Sequence, residues 1–337
     1  MKIGSAYIEI TNRCNLNCAT CYNQSGMNSV TRELELSGIR STLDVLPAYG
    51  CRSVSFSGGE PLLHSEIYAL MELLKAYPEQ SFSFVTNGTL LTRELAEKAA
   101  RIKNIHFCIS LDGSTEEING KIRGKGNYRK ATEAVTLLTE NGIPCFVKMV
   151  ISRENQYDVE PFYRMAIERG AVPEFGFIMK IGNGARRWEE TRLSGAEKAR
   201  IIQKIEDLNR ELNASADIPA CTYACPLTDT EKELHILIKS SGEIHPCQNL
   251  YHEKYALGNI LTFSEEAVED KLQQLRELIS PRAEADFGCA KCFLRDRCGR
   301  GCPAAAEEQS GSIWGNDEDC ALRKTLLLRR VFREERT

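Results

Sequence analysis

Cys14-Asn15-Leu16-Asn17-Cys18-Ala19-Thr20-Cys21 places three cysteines within eight residues, shortly after the apolar run Ala6-Tyr7-Ile8-Glu9-Ile10. The run reads as a β-strand and the cysteines as the loop that leaves it. Three thiolates this close hold three corners of an iron–sulfur cube, in which each iron normally takes one cysteine. The local sequence offers no fourth, so one iron would stay open to a small molecule. The competing reading is three of four zinc ligands, with the fourth supplied from far away. Zinc sites close with cysteines or histidines paired at short spacing, and Cys-x3-Cys-x2-Cys fits that pattern poorly.

Beyond this loop, short apolar β-type runs alternate with amphipathic helical stretches. Candidate strands cover residues 6–10, 53–57, 81–86, 106–111, 146–151 and 175–180. Candidate helices cover 36–46, 66–76, 93–101, 130–141, 160–169 and 196–212, with Thr92 as a start signal and Asn141-Gly142 as a stop. Six strands alternating with helices imply a parallel sheet with helices outside it, either open and doubly wound or a partial barrel. In either case the loops at the strand C-termini carry the chemistry. After the first strand comes the cysteine triplet. After the second comes Gly58-Gly59-Glu60-Pro61, after the third Asn87-Gly88-Thr89, and after the fourth Asp112-Gly113, following Ser110. After the sixth comes Ile181-Gly182-Asn183-Gly184-Ala185-Arg186.

The 337 residues suffice for a large domain and a small one. A formal net charge of −4 argues against a nucleic-acid partner. Arg323, Lys324, Arg329, Arg330, Arg333 and Arg336 read as the solvated face of a last helix over 321–334. No apolar stretch approaches the roughly 18 residues of a membrane span, and the N-terminus has no secretory pattern, so the expected location is cytoplasmic. In a reducing compartment the fourteen cysteines are read as metal ligands rather than disulfides. Cys51, Cys108 and Cys145, in or beside strand runs, read as small buried hydrophobes.

Near residue 215 the α/β alternation stops and cysteines return: Cys221, Cys225, Cys247, Cys289, Cys292, Cys298, Cys302 and Cys320. The expected division is 1–214, 215–320 and a closing helix over 321–337. His245 and His252 lie near Cys247, where packing roles compete with hydrogen bonding around a metal group.

Cys14-x3-Cys18-x2-Cys21 after a first strand, with Ser57-Gly58-Gly59-Glu60-Pro61 after a second, resembles the radical S-adenosylmethionine (SAM) superfamily. That resemblance implies a partial (β/α)6 barrel of TIM type, with the three cysteines holding a 4Fe–4S cluster. It also implies SAM on the open iron through its amino and carboxylate groups. By the same resemblance Gly58, Gly59 and Glu60 would hold the methionyl amino group, and Ser110 and Arg123 would bind the SAM carboxylate and its neighbours. Asn87 and Asp112 are candidates for ribose contacts, or simple turn residues in Asn-Gly and Asp-Gly. The family often carries an aromatic residue before the third cysteine. Here it is Thr20, with Tyr22 after the cysteine, which leaves a backbone contact at Thr20.

Gly242-x4-Cys247 followed by Cys289-x2-Cys292-x5-Cys298-x3-Cys302 and Cys320 resembles a SPASM domain, an extension that binds auxiliary 4Fe–4S clusters. The resemblance implies one auxiliary cluster on Cys221, Cys225, Cys247 and Cys302, and another on Cys289, Cys292, Cys298 and Cys320. Zinc remains the alternative for this half, since paired cysteines suit it. Three 4Fe–4S clusters would then serve one chain, two of them closed.

The implied chemistry is reductive cleavage of SAM to methionine and a 5′-deoxyadenosyl radical, which takes a hydrogen from a peptide or small-protein substrate. Ribosomal-peptide maturation is the leading reading, by thioether, ether or carbon–carbon crosslinking or by epimerisation. Sulfatase-maturase relatives commonly carry an Asp after the cysteine of Gly-x4-Cys. Gln248 stands there in this chain and cannot accept a proton at neutral pH, which lowers that reading. Small-molecule or tetrapyrrole chemistry is a further alternative, and a non-catalytic iron–sulfur electron carrier is the rival of another class. A flavodoxin- or ferredoxin-type donor would supply the electron. A first strand near residue 6 leaves no room for an N-terminal leader-binding domain, so leader recognition would fall to a separate protein or a surface of this chain, unless there is no leader.

Overall fold

Nine strands form one sheet in the order β6-β5-β4-β3-β2-β1-β7-β8-β9 in the computed structural model, which describes residues 1–27, 30–217, 225–280 and 287–334. The first six are β1 (Ile3–Thr11), β2 (Ser53–Gly58), β3 (Ser81–Thr86), β4 (Ile105–Ser110), β5 (Cys145–Ile151) and β6 (Val172–Phe177). All are parallel, each beside its predecessor. Between them run α1 (Leu36–Val45), α2 (Ile67–Leu74), α3 (Arg93–Ala99), the pair α4 (Glu116–Arg123) and α5 (Asn127–Glu140), and α6 (Val159–Glu168). Because spatial order equals chain order, right-handed crossovers put every helix on the same face of the sheet. A doubly wound sheet reverses its order and covers both faces. This one has the topology of the partial barrel.

The period of two along each strand assigns its faces. Ile8, Phe56 and Phe84 are in register and fully buried, as are Phe82 and Phe107, and the Phe56–Phe84 and Phe84–Phe107 rings lie 5.1 and 5.4 Å apart. This face meets the helices. The alternate residues Tyr7, Ser55 and Ser83, with Glu9, Ser57, Cys108, Lys148 and Glu174, give a polar inner face that no crossover helix covers. Cys51, Cys108 and Cys145 are buried as expected. Thr92 caps α3 through Leu95 N, and Gly142 takes φ +68° after α5.

After α7 (Gly182–Arg186), α8 (Trp188–Thr191) and α9 (Gly195–Glu211), the sheet resumes. α9 opens on a capping box between Ser194 and Glu197. β7 (Leu234–Ile238) pairs parallel with β1, and β8 (Glu243–His245) and β9 (Gly258–Asn259) add antiparallel. The strands therefore continue past residue 215, where the sequence reading saw only a loss of regularity. The remainder holds α10 (Glu265–Ile279), α11 (Phe287–Ala290), α12 (Arg295–Cys298), α13 (Pro303–Ser310) and α14 (Cys320–Glu334). Among the described residues no helix is long and apolar enough to cross a membrane.

On the last helix Lys324 is exposed as expected, Arg336 and the side chains of Arg330 and Arg333 lie outside the described residues, and Arg323 departs from expectation. Arg323 does not belong to a solvated face. It is buried and ion-paired with buried Asp317, its Nη1 at 2.7 Å from Oδ2. The same Oδ2 accepts from Cys302 N at 2.9 Å, so the pair ties the cysteine turn to α14. Leu322 and Leu326 pack on Ala199 and Ile202 of α9, and Lys198 Nζ donates to Asp319 at 2.6 Å. Removing one partner of a buried pair strands the other charge. Arg323→Met should therefore lower stability by about 3–5 kcal/mol, read as a shift in denaturant midpoint, and Arg323→Met with Asp317→Leu should lose less.

Candidate functional site

The cysteine loop leaves β1 and is held by its backbone carbonyls. Gly59 N donates to Thr11 O at 2.8 Å and Glu60 N to Arg13 O at 2.7 Å, which bring the β2 turn against it. Asn183, at the start of α7, donates from Nδ2 to Cys18 O at 2.9 Å and from its backbone to Cys21 O at 2.8 Å. Ala19 N reaches Ile122 O on α4 at 2.8 Å, and Asn15 Nδ2 reaches Thr89 Oγ1 at 2.8 Å. Turns after β1, β2, β3 and β6 thus converge, with α4 joining them. A Cβ on Gly58 would stand 2.0 Å from Thr11 O, and one on Gly59 2.1 Å from Arg13 O. Both glycines are required by the protein's own backbone, whatever else approaches them.

Cys14, Cys18 and Cys21 are all partly exposed at this mouth. Burial raises the Cys14 thiol to about 11, and raises Cys18 against the opposing pull of Arg123. Such thiols become thiolates by gaining a positively charged partner, which a metal centre supplies. Among the described residues no three His, Cys, Asp or Glu side chains converge on a single metal ion. A cube takes one cysteine sulfur per iron and spreads its ligands apart, and three thiols partly exposed at one mouth suit that donor set. Thr20 is half-buried in the turn between Cys18 and Cys21.

The remaining residues expected around SAM divide by environment. Glu60 is fully buried, with Oε1 accepting from Thr86 Oγ1 at 2.5 Å and Leu62 N at 3.1 Å, and Oε2 from Asn87 N at 2.8 Å. Its carboxylate braces the β2 and β3 turns. Asn87 forms an Asx turn, with Oδ1 accepting from Thr89 N at 2.9 Å and Nδ2 donating to Asn15 Oδ1 at 2.9 Å. Asp112 is fully buried; Oδ1 accepts from Val150 N at 2.8 Å, and Oδ2 lies 2.8 Å from Arg123 Nε. Asp112 therefore aims the Arg123 guanidinium, which stands close enough to Cys18 to affect its thiol. Ser110 ends β4 half-buried, in register with Lys148.

In the second half, burial first, then the fields of Cys302 and Cys225, push Cys247 up to about 12. Three of the four cysteines expected in one set are thus neighbours; the fourth, Cys221, lies outside the described residues. In the other set Cys292 N donates to Cys289 O at 3.0 Å, Cys298 closes α12, and Cys320 is exposed at the start of α14. His245 is buried against Leu250 O at 3.0 Å and His252 pairs with Glu308 at 2.7 Å.

Sequence reasoning missed Gly182 and Asn183 as partners of the cysteine loop. Their signal was the Gly-Asn-Gly turn itself; its target was not readable. It also passed over Glu9, which is buried on the inner face.

Residues 8–166 match the model of the Radical SAM superfamily. The chain is 27% identical over 322 residues to mycofactocin maturase of Mycolicibacterium smegmatis, covering 93% of this chain and 81% of that one. It is 24% identical over 343 residues to the AdoMet-dependent heme synthase of Methanosarcina barkeri, covering 94% and 95%. The fold is similar to that of anSMEcpe, solved with bound AdoMet and Cp18Cys peptide, at a TM-score of 0.75 and 18% identity over 96% of this chain and 95% of that one.

Gly182 adopts φ +60°, and a Cβ there would stand 2.4 Å from Cys21 O and 2.2 Å from Tyr22 O. Gly182→Ala should distort the loop and lower the iron retained after anaerobic reconstitution by about four per chain, the content of one cube. A pH effect follows from the two buried carboxyls. Burial raises both Glu9 and Glu60 from 4.5 to about 7, so the fold favours their protonated forms. The stability they contribute is complete below about pH 4.5 and is lost as pH rises through about 7. Denaturant midpoints should fall between pH 5 and 8, and fall less in Glu60→Gln.

Proposed function

With a radical SAM domain over residues 8–166 the chain is an enzyme, and we propose that it modifies a peptide, maturing a ribosomally made precursor. SAM and one 4Fe–4S cluster come with that family. The carrying observation is the joint clamping of the Cys14–Cys18–Cys21 loop by the turns after β2, β3 and β6 and by α4, with Asp112-braced Arg123 beside Cys18, over a polar inner face.

When bound, the cluster supplies the electron that cleaves SAM. Cys14, Cys18 and Cys21 hold it. Arg123 suits the SAM carboxylate, because a guanidinium offers a planar fork of donors and Asp112 keeps it oriented. Gly58 and Gly59 let the β2 turn approach the cysteine loop closely, which makes their backbone available to the methionyl amino group. Ser110, Asn87 and the Thr20 backbone complete the binding surface. The inner face of the half barrel presents hydroxyl, thiol and carboxylate groups to a substrate.

Two auxiliary 4Fe–4S clusters belong to the same proposal, on Cys221, Cys225, Cys247 and Cys302, and on Cys289, Cys292, Cys298 and Cys320. The nearness of Cys302 and Cys225 to Cys247, whose thiol both raise, supports the first set. Similarity to the mycofactocin maturase spans 93% of this chain, cysteine-rich half included, and supports the peptide substrate. A flavodoxin- or ferredoxin-type donor would provide electrons, and a separate protein could present the leader. The heme synthase, matched over 95% of its own length, supports a second reading in which the substrate is a tetrapyrrole.

Anaerobic reconstitution with dithionite and SAM tests the assignment. About twelve irons per chain are expected for three cubes, and about eight in a Cys14→Ala, Cys18→Ala, Cys21→Ala variant, which should form no 5′-deoxyadenosine. Mass spectrometry then separates the substrates: a precursor peptide encoded beside this gene should change mass, or gain deuterium in deuterium oxide if it is epimerised, and a porphyrinogen-type tetrapyrrole should do neither. The reverse result would establish the tetrapyrrole reading.

A further inference from the structure

Glu9 and Glu60 are both buried carboxylates, and they are held differently. Glu60 has both oxygens engaged by three donors at 2.5–3.1 Å. Glu9, 5% exposed, has its two hydrogen bonds on the single oxygen Oε1, from Tyr22 Oη and Asn23 Nδ2, each at 3.2 Å. Both donors are neutral and both bonds are long. A buried carboxylate so weakly satisfied favours a further donor.

Glu9 also lines a cavity of 360 Å³, a size that suits an amino-acid side chain or small ligand. One wall is Tyr22 and Asn23, which follow Cys21 directly. The opposite wall is Lys239, Ser241 and Glu243, at the turn from β7 to β8. β8 leads to Cys247 two residues beyond its end. Lys239 is committed within that wall: its Nζ donates to Tyr251 O at 2.7 Å and faces Glu243 at 3.4 Å. Tyr7 lies two residues before Glu9 on the same inner face, about 7 Å along the strand. It lines a second cavity of 290 Å³ together with Cys247 and Gln248. The inner face of β1 thus runs from the first cysteine loop, past Glu9, to the auxiliary cysteine.

We infer that the Glu9 cavity is the pocket for the substrate residue that reacts, and that Glu9 anchors it by accepting a hydrogen bond from a donor-ended side chain. The inference rests on the peptide-modifying reading above. The pocket selects side chains ending in hydroxyl, amide or ammonium groups over apolar ones. Its walls come from the residues that follow the first cysteine loop and from the turn that leads toward Cys247. Burial raises the Glu9 carboxyl to about 7, the penalty that such a bond would offset.

The test measures anisotropy of a fluorescent peptide copied from the precursor encoded beside this gene, binding to anaerobically reconstituted enzyme with SAM. Glu9→Gln should weaken binding about ten- to a hundredfold, the worth of a hydrogen bond to a charged group, and Glu9→Asp should recover part of it. Ser241→Trp, which fills the cavity and leaves the Glu9 carboxyl in the sequence, should weaken binding comparably. Circular dichroism establishes that each variant is folded. Unchanged affinity in Glu9→Gln and Ser241→Trp would overturn the inference while leaving peptide modification standing. Should the wild type bind no peptide and convert a tetrapyrrole instead, the peptide reading fails. The pocket is then judged by KM for the tetrapyrrole: a rise in both variants supports it, and no change overturns it.

Discussion

The structure depends on how closely other turns approach the carbonyl oxygens of one loop. Thr11 and Arg13 present backbone oxygens to the N–H groups of Gly59 and Glu60, and Cys18 and Cys21 present theirs to the side chain and backbone of Asn183. Three glycines make this possible, because a Cβ at Gly58, Gly59 or Gly182 would collide with Thr11, Arg13 or Cys21 oxygens at 2.0–2.4 Å. The three thiols stay at the mouth while the polypeptide under them is fixed, which is what a ligand loop needs.

Charge is arranged to the same end. Asp112 has no exposure and spends its oxygens on Val150 N and Arg123. The guanidinium beside Cys18 is thereby held in place before anything binds. Glu60 is kept inside by three donors and joins the β2 and β3 turns. Asp317 and Arg323 do the equivalent for the cysteine turn near Cys302. In each case a buried ion or carboxylate fixes a turn, and hydrogen bonds to the main chain offset the cost of its desolvation.

The six parallel strands and most of their helices were legible because apolar periodicity and caps agree there: Thr92, Asn141-Gly142 and the Phe56, Phe84 and Phe107 positions each read the same way locally and globally. Ordering the strands into a half barrel needed the pairing itself. The cysteine loop and its Gly-Gly-Glu turn were readable as a pair, since spacing and residue type both carry information. The partnership of Asn183 with that loop was not, because 165 residues separate Asn183 from Cys18. β7 escaped notice for a related reason. Leu234–Ile238 is a short apolar run whose strand character comes from lying beside β1, and its neighbours Glu231, Lys232 and Glu233 mask the pattern. Arg323 sat in a basic stretch whose composition pointed to solvent. Only its geometry with Asp317 places it inside.

β1 lies between β2 and β7, so the strand that delivers the cysteine loop receives one neighbour from the first half of the chain and the other from residues more than 220 positions later. Until Leu234–Ile238 arrives, β1 is an unprotected edge strand, with a row of open hydrogen-bonding groups available to any other chain. Synthesis from the N-terminus makes that interval unavoidable. A fragment ending after α9 would keep Cys14, Cys18 and Cys21 and still expose the flank of the strand that precedes them. The second half therefore acts as a seam on the catalytic half, and self-association of the nascent or truncated chain is the hazard it closes.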